Sequence, residues 1–257
     1  MSYSNIIYSV KENVAEIVLN RPEKMNSLDE ILIKELTELF NSVSKDKNVR
    51  VVVLTGAGGN FCSGLYLDYL QKISAYNLDE NKADSQRFKD MLLSIYNCPK
   101  PVIAKVSGYA LAGGCGIASC CDFIVADETA KFGYTEVKIG FIPAIVLVFL
   151  TRRVNENWAK DLLLSSRFIS SDEALKMGFI TRVVESGKID TAIKQMCDTL
   201  VKYSPASIAK TKEMLRNIQD MPFEDALNYA CEQNAEIRMT DDFKKGLSEF
   251  LNRNKSK

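Results

Sequence analysis

The chain has 257 residues, 46% of them hydrophobic and 26% charged, a composition that supports one substantial core and excludes a disordered, collagen-like or small disulfide-stapled protein. Lysine plus arginine equals aspartate plus glutamate at 33 each, so no net positive field collects polyanions and nucleic acid is not an expected partner. Histidine is absent, which excludes a Ser-His-Asp triad, a Cys-His pair and His-ligated zinc and leaves proton transfer to carboxylates, Lys, Tyr, Cys or backbone amides with water as a relay.

In chain order, residues 14–19 (VAEIVL) alternate as a strand does and stop at Asn20-Arg21-Pro22, where proline ends pairing. Residues 27–40 carry Leu28, Ile31, Leu32, Leu36, Leu39 and Phe40 at helical spacing, with Ser27 or Asp29 as the cap. Residues 50–54 (RVVVL) form a short, fully apolar strand closed by Thr55-Gly56-Ala57-Gly58-Gly59. A polar, partly helical stretch over residues 66–96 leads to a strand at 102–106. A glycine-rich loop at 108–116 then opens a small-residue helix at 115–121, and residues 122–126 (DFIVA) make another strand. Strand and helix recurring in this way predict an α/β layered fold built by successive crossovers. From Asn155 onward the pattern turns helical, over 158–164, 171–177, 189–203, 205–218, 222–239 and 241–252, with Ser171 and Ser204-Pro205 as caps. No Gly/Ser-rich linker marks that change, so residues 1–200 and 201–257 are expected to be a core and a helical extension of one domain, the extension serving assembly.

Seven cysteines without CxxC spacing read as reduced core residues, and no metal site is expected. The longest uncharged apolar run covers residues 140–150, short of the roughly 20 needed to span a bilayer. With no leader pattern over residues 1–10, the expected location is cytoplasmic, away from membranes.

Two glycine-centred segments follow strands directly: Asn60-Phe61-Cys62-Ser63-Gly64-Leu65 and Gly108-Tyr109-Ala110-Leu111-Ala112-Gly113-Gly114-Cys115-Gly116. Each turns the backbone sharply and can leave N–H groups facing a ligand, and the second opens a helix, which puts the Gly113 amide at the positive end of a dipole. Neither fits a GxGxxG or P-loop fingerprint. In a third segment, Lys131 to Ala144, Glu136 lies among Phe132, Tyr134, Val137, Ile139 and Phe141. Pointing inward, it would have a raised pKa suited to acid-base work.

These segments, with Asn20-Arg21-Pro22-Glu23-Lys24-Met25-Asn26-Ser27-Leu28 before them and Glu249-Phe250-Leu251 with Arg253 near the end, resemble the crotonase (enoyl-CoA hydratase/isomerase) family along nearly the whole chain. The resemblance implies a spiral of ββα units with C-terminal helices that form a homotrimer, often a dimer of trimers. It implies an acyl-CoA substrate whose thioester oxygen is held by the amides of Leu65 and Gly113, with Glu136 as general acid/base; coenzyme A belongs to the substrate, and no separate cofactor is expected. It further implies coenzyme A contacts from Lys24, Met25, Ser27, Leu65, Tyr66, Leu67, Asp68, Gly113, Gly116, Phe250 and Arg253, the last two reaching the adenine end.

The chain departs from the family pattern twice. Hydratases of the family hold water between two glutamates, and here the position of the first is Gly116. Tyr66 stands where an aspartate is common, with Asp68 two positions on. Single-glutamate members of the methylglutaconyl-CoA hydratase type share the glycine and the block from Glu136 to Ala144 followed by Arg152-Arg153. The resemblance therefore favours an enoyl-CoA hydratase or dehydratase acting on a short or branched acyl thioester. A Δ3,Δ2-enoyl-CoA isomerase and a non-catalytic acyl-CoA-binding member are the alternatives.

Overall fold

The computed structural model describes residues 3–255, with side chains to residue 252. Strand β1 (Ile6–Lys11) and β2 (Val14–Leu19) form an antiparallel hairpin whose two-residue turn, Glu12-Asn13, has φ of 50° and 65°, the left-handed pair that matches strand twist. On β2, Ala15, Ile17 and Leu19 face inward. The first strand was not evident from the sequence because its exposed positions include Ile7 and Val10, which blur the alternation. Helix α1 (Glu30–Lys45) starts three residues later than its apolar spacing suggested: Asp29, not Ser27, is the cap, accepting from the Leu32 N–H at 3.0 Å.

Strand β3 (Val51–Gly56) is buried on both faces. Val52 and Leu54 enter the main core, while Val51 and Val53 join Ile103, Val125, Ile189 and Ile193 in a second apolar layer. The stretch after it resolves into α2 (Leu67–Ser74) and α3 (Leu78–Tyr96), separated by a capping box of Asn77 and Glu80. Strand β4 (Val102–Val106) is followed by a short strand β5 (Tyr109–Leu111) inside the glycine-rich loop, so α4 begins at Gly113 and runs to Cys120.

The order continues through β6 (Phe123–Asp127), β7 (Lys131–Gly133), a 3-10 turn at Glu136–Ile139, α5 (Ala144–Leu150), α6 (Glu156–Ser165), β8 (Ile169–Ser170), α7 (Ser171–Lys176), β9 (Arg182–Val184) and α8 (Ile189–Leu200). Ser170 rather than Ser171 caps α7. The principal sheet has order β1-β2-β3-β4-β6-β9, parallel from β2 onward, and a smaller sheet has order β5-β7-β8. Cys62 bridges in parallel to Ala110 of β5, so the strands β3, β4 and β6 each pass into a segment that extends the second sheet. This repeated long-strand, short-strand, helix path is the spiral of the α/β fold.

Three helices end the described chain: α9 (Pro205–Asn217), α10 (Phe223–Arg238) and α11 (Asp241–Lys255). Lys212 of α9 is fixed to the sheet by Asp122 at 2.5 Å and the Lys100 carbonyl at 2.7 Å, while Asp122 also accepts from the Val102 N–H at 2.7 Å. Leu215, Phe223, Leu227, Met239 and Leu247 remain exposed on these helices. Six of the seven cysteines are buried, all are free, and Cys231 alone is exposed. No helix of the described residues is long and apolar enough to cross a membrane.

Candidate active site

Four loops separated in sequence are laced side by side. The first, around Lys24 to Leu28, has consecutive left-handed residues Met25 and Asn26 at φ 49° and 54°. Asn26 holds it in place: its Oδ1 accepts from the Arg21 N–H at 2.9 Å, and its Nδ2 donates to the carbonyls of Ala57 at 2.8 Å and Asn60 at 2.7 Å. The second loop is joined to the first by Ser63 N–H to Met25 O at 3.1 Å, Leu28 N–H to Gly64 O at 2.7 Å and Tyr66 N–H to Leu28 O at 2.8 Å. The third is joined to the second by Cys62 N–H to Tyr109 O at 3.0 Å and Leu111 N–H to Cys62 O at 2.9 Å. Ala112 N–H then reaches Gly133 O at 2.8 Å, which ties in the segment that carries Glu136.

This lacing determines where two amides point. A trans peptide directs its C=O and N–H oppositely. The Gly64 carbonyl faces Leu28, so the Leu65 N–H faces away from it; the Ala112 carbonyl accepts from Gly116 N–H at 3.1 Å inside α4, so the Gly113 N–H faces out of the helix start. Neither amide donates to an acceptor among the described residues. The two loops touch, since a methyl group built on Gly64 would lie 3.4 Å from the Gly113 nitrogen and 2.9 Å from Ala112 Cβ. Gly64 itself has φ of 89°, which a larger residue adopts only with strain. Ala112, at φ 49° and ψ −118°, carries a strained backbone at the same corner.

Glu136 opens the 3-10 turn after β7. Tyr134 anchors that approach: it is buried, its carbonyl accepts from Ser166 Oγ at 2.7 Å, and its hydroxyl lies 3.4 Å from Ser119 Oγ. The Glu136 side chain is 9% exposed, and its Oε2 is buried without a hydrogen-bond partner. Burial raises its pKa above the ordinary glutamate value, offset in part by the backbone N–H groups of Glu136 and Thr135. The charge of the same carboxylate adds to the upward shift of the Cys115 thiol, two residues after Gly113 on α4. Burial also pushes the thiols of Cys62 and Cys115 upward, to about 12 for Cys62, leaving both as inert core groups.

The remaining candidates divide between this corner and the outside. Lys24 lies over the Tyr66 ring at 4.4 Å and Arg21 at 5.6 Å, so Tyr66 forms a cation-π stack at the loop edge. Ser27 Oγ is buried without a partner beside them. Leu67 and Asp68 are exposed at the start of α2. Phe250, on α11, is 62% exposed, and α11 packs against α9 and α10. Arg253 falls within α11, and its side chain lies outside the described residues. Gly116 is buried one turn beyond Gly113, and a methyl group built there would lie 2.4 Å from Val146 Cγ1. No group of three or more Cys, Asp or Glu side chains is placed to hold a metal ion among the described residues.

Asn26, Ala112 and Val146 were not singled out by sequence reasoning. Asn26 lay inside a recognised block without a stated role. Ala112 carries no local signal, because its strain comes from the neighbouring loops. Val146 sits in an apolar run that reads simply as core.

The enoyl-CoA hydratase/isomerase family model matches residues 9–257. A putative enoyl-CoA hydratase of Thermus thermophilus is 39% identical over 241 residues, covering 94% of this chain and 95% of the relative. An (E)-benzylidenesuccinyl-CoA hydratase of Thauera aromatica is 34% identical and covers 95% of each chain. The crystal structure of an enoyl-CoA hydratase from Shewanella pealeana superimposes with a TM-score of 0.94 at 27% identity, covering 97% of this chain and 94% of that one. With the spiral α/β architecture, these matches place the chain in the enoyl-CoA hydratase/isomerase, or crotonase, family of enzymes.

Proposed function

We propose that the protein adds water reversibly across the C2–C3 double bond of a short or branched enoyl-CoA. The observation that carries this reading is the pair of adjoining, unengaged amides at Leu65 and Gly113, together with a buried carboxylate of raised pKa at Glu136 whose charge is felt at Cys115 in the first turn of α4. Two preorganised N–H donors stabilise the negative charge that develops on the thioester oxygen, and a donor of this kind is worth about 3 kcal/mol. Glu136 takes a proton from water as its oxygen attacks C3; electron density moves to the enolate, and the acid then returns the proton at C2. In reverse it protonates the departing hydroxyl.

Lys24, Met25, Ser27, Tyr66, Leu67 and Asp68 are assigned to coenzyme A, with Lys24 offering charge to phosphate from its stack on Tyr66. Phe250 and Arg253 are assigned to the adenine end, supplied by a neighbouring subunit. The exposed apolar side chains of α9, α10 and α11 support a homotrimer or a dimer of trimers.

A specific observation favours a second reading. With Gly116 closed off by Val146, one carboxylate serves the site, and this also suits a Δ3,Δ2-isomerase that moves a proton between C2 and C4 without water. Incubation with crotonyl-, 3-hexenoyl- and 3-methylglutaconyl-CoA, followed by mass, separates the readings. Hydration of a 2-enoyl thioester, reduced by about two to four orders of magnitude in Glu136→Gln, is expected. Turnover of the 3-enoyl substrate alone selects the isomerase, and thioester binding without turnover selects a binding protein.

A further inference from the structure

The buried residues of α2 are Tyr69 and Ile73, and those of α3 are Asp84, Met91, Leu92 and Ile95. As far as Arg87, α3 therefore buries a carboxylate and no apolar side chain. The Tyr69 hydroxyl donates to Asp84 Oδ1, and Nη2 of Arg87, a half-exposed side chain, donates to the same oxygen at 3.1 Å. Burial and then the Asp84 carboxylate raise the Tyr69 pKa, so the hydroxyl stays a donor. A hydroxyl donating to a carboxylate makes one of the stronger hydrogen bonds. Here it joins two helices that share little apolar packing at this end.

The joint sits next to the two amides. Helix α2 continues directly from Leu65: Tyr66 N–H donates to Leu28 O at 2.8 Å, and Leu70 N–H donates to Tyr66 O at 2.9 Å in the first turn. Phe88 follows Asp84 by four residues on α3 and so shares its face. Its ring carbons Cζ and Cε2 lie 3.3 and 3.5 Å from a methyl built on Gly113. One face of α3 thus carries both the anchor of the helix that leaves Leu65 and the ring packed on Gly113.

We infer that Tyr69 is a positioning residue for the reaction: through its hydrogen bond to Asp84 it fixes α2 on α3 and thereby sets the spacing of the Leu65 and Gly113 amides. The inference rests on the reading above, in which these amides hold a thioester oxygen, and extends it to a residue outside the pair. Two donors stabilise developing charge only in their set geometry, and a displacement of about 1 Å can cost about 100-fold in rate.

The test has two arms, both on the full-length protein. In the first, hydrogen exchange followed by mass spectrometry compares the parent with Tyr69→Phe, which keeps the buried ring and deletes the hydroxyl. Residues 66–74 are expected to exchange about tenfold or more faster, and equal rates would refute the joint whatever the reaction is. In the second, kcat and KM are measured on whichever of crotonyl-, 3-hexenoyl- and 3-methylglutaconyl-CoA the parent turns over fastest, well below the melting point. The affinity for butyryl-CoA, which lacks the double bond, is measured on the same samples.

Tyr69→Phe and Asp84→Leu should each lose about tenfold or more in kcat, with KM and butyryl-CoA affinity within about threefold of the parent. A displaced amide costs the transition state more than the ground state. Asp84→Asn keeps an oxygen that accepts from the hydroxyl, so its kcat should stay within about threefold. The Tyr69→Phe/Asp84→Leu double variant should be no slower than the slower single one, since both remove the same bond. A kcat loss under about threefold in folded Tyr69→Phe, a loss in Asp84→Asn equal to that in Asp84→Leu, or losses confined to KM overturn the positioning role and leave the acyl-CoA reading standing. A parent that turns over none of the three thioesters overturns that reading and the inference with it.

Discussion

Replacing Glu136 by glutamine should stabilise the protein while disabling it. The carboxylate is buried, and Oε2 meets no donor, so the folded state carries a desolvated oxygen that the unfolded chain would give to water. An unpartnered buried polar group costs about 1–3 kcal/mol, more when charged. Glutamine keeps the shape but brings an amide that also wants partners, so the recovered stability belongs at the lower end, about 1 kcal/mol. For a chain of this size that corresponds to roughly 2–4 °C in Tm.

The pH dependence fixes the sign. Burial holds the Glu136 pKa above its ordinary value, so the folded protein retains this proton to higher pH than the unfolded chain does. The contribution to stability is full below the ordinary carboxylate range and is lost as pH rises through the raised pKa. The advantage of Glu136→Gln should therefore be small in acid and reach its plateau in mildly alkaline buffer. Scanning calorimetry of both proteins across that range, with turnover measured on the same samples, checks it. A variant that melts lower than the parent at alkaline pH, or a difference indifferent to pH, would show that this carboxylate is not held against its desolvation cost.

Gly64→Ala places a methyl 2.9 Å from Ala112 Cβ and 3.1 Å from the Leu111 carbonyl at a backbone φ of 89°, so it should displace the Leu65 amide. Since one such donor is worth about 100- to 1000-fold in rate, kcat should fall by at least about tenfold with far-ultraviolet dichroism unchanged, and a kcat within twofold of the parent would refute the role. Asn26→Ala removes three hydrogen bonds, one that closes the first loop on Arg21 and two that tie it to Ala57 and Asn60, each worth about 1 kcal/mol net. Tm should drop by roughly 6–12 °C, and a drop under about 2 °C would mean that other contacts hold these loops together.

The local signals that were legible are those whose cause lies within a few residues. The apolar run 51–54, the buried positions Leu32, Leu36, Leu39 and Phe40 of the helical stripe and the helices after Asn155 could be read because a strand or helix imposes its period on whatever it buries. Recognition of the ordered blocks added the spiral and pointed to the adjoining loops of Leu65 and Gly113. Short strands such as β5, β7, β8 and β9 carried no periodicity, having only two or three residues each. They exist because neighbouring segments supply their hydrogen-bond partners.

Sequence by itself determined the absence of histidine, and with it the exclusion of a Ser-His-Asp triad, a Cys-His pair and His-ligated zinc, because composition needs no coordinates. Only the tertiary structure decided that the Leu65 and Gly113 amides are unengaged and adjoining, because the direction of an N–H depends on where the carbonyl across the same peptide finds its donor. It alone decided that Gly116 is more than a missing acid: the volume beside it belongs to Val146, thirty residues along the chain, and close packing leaves no room for both.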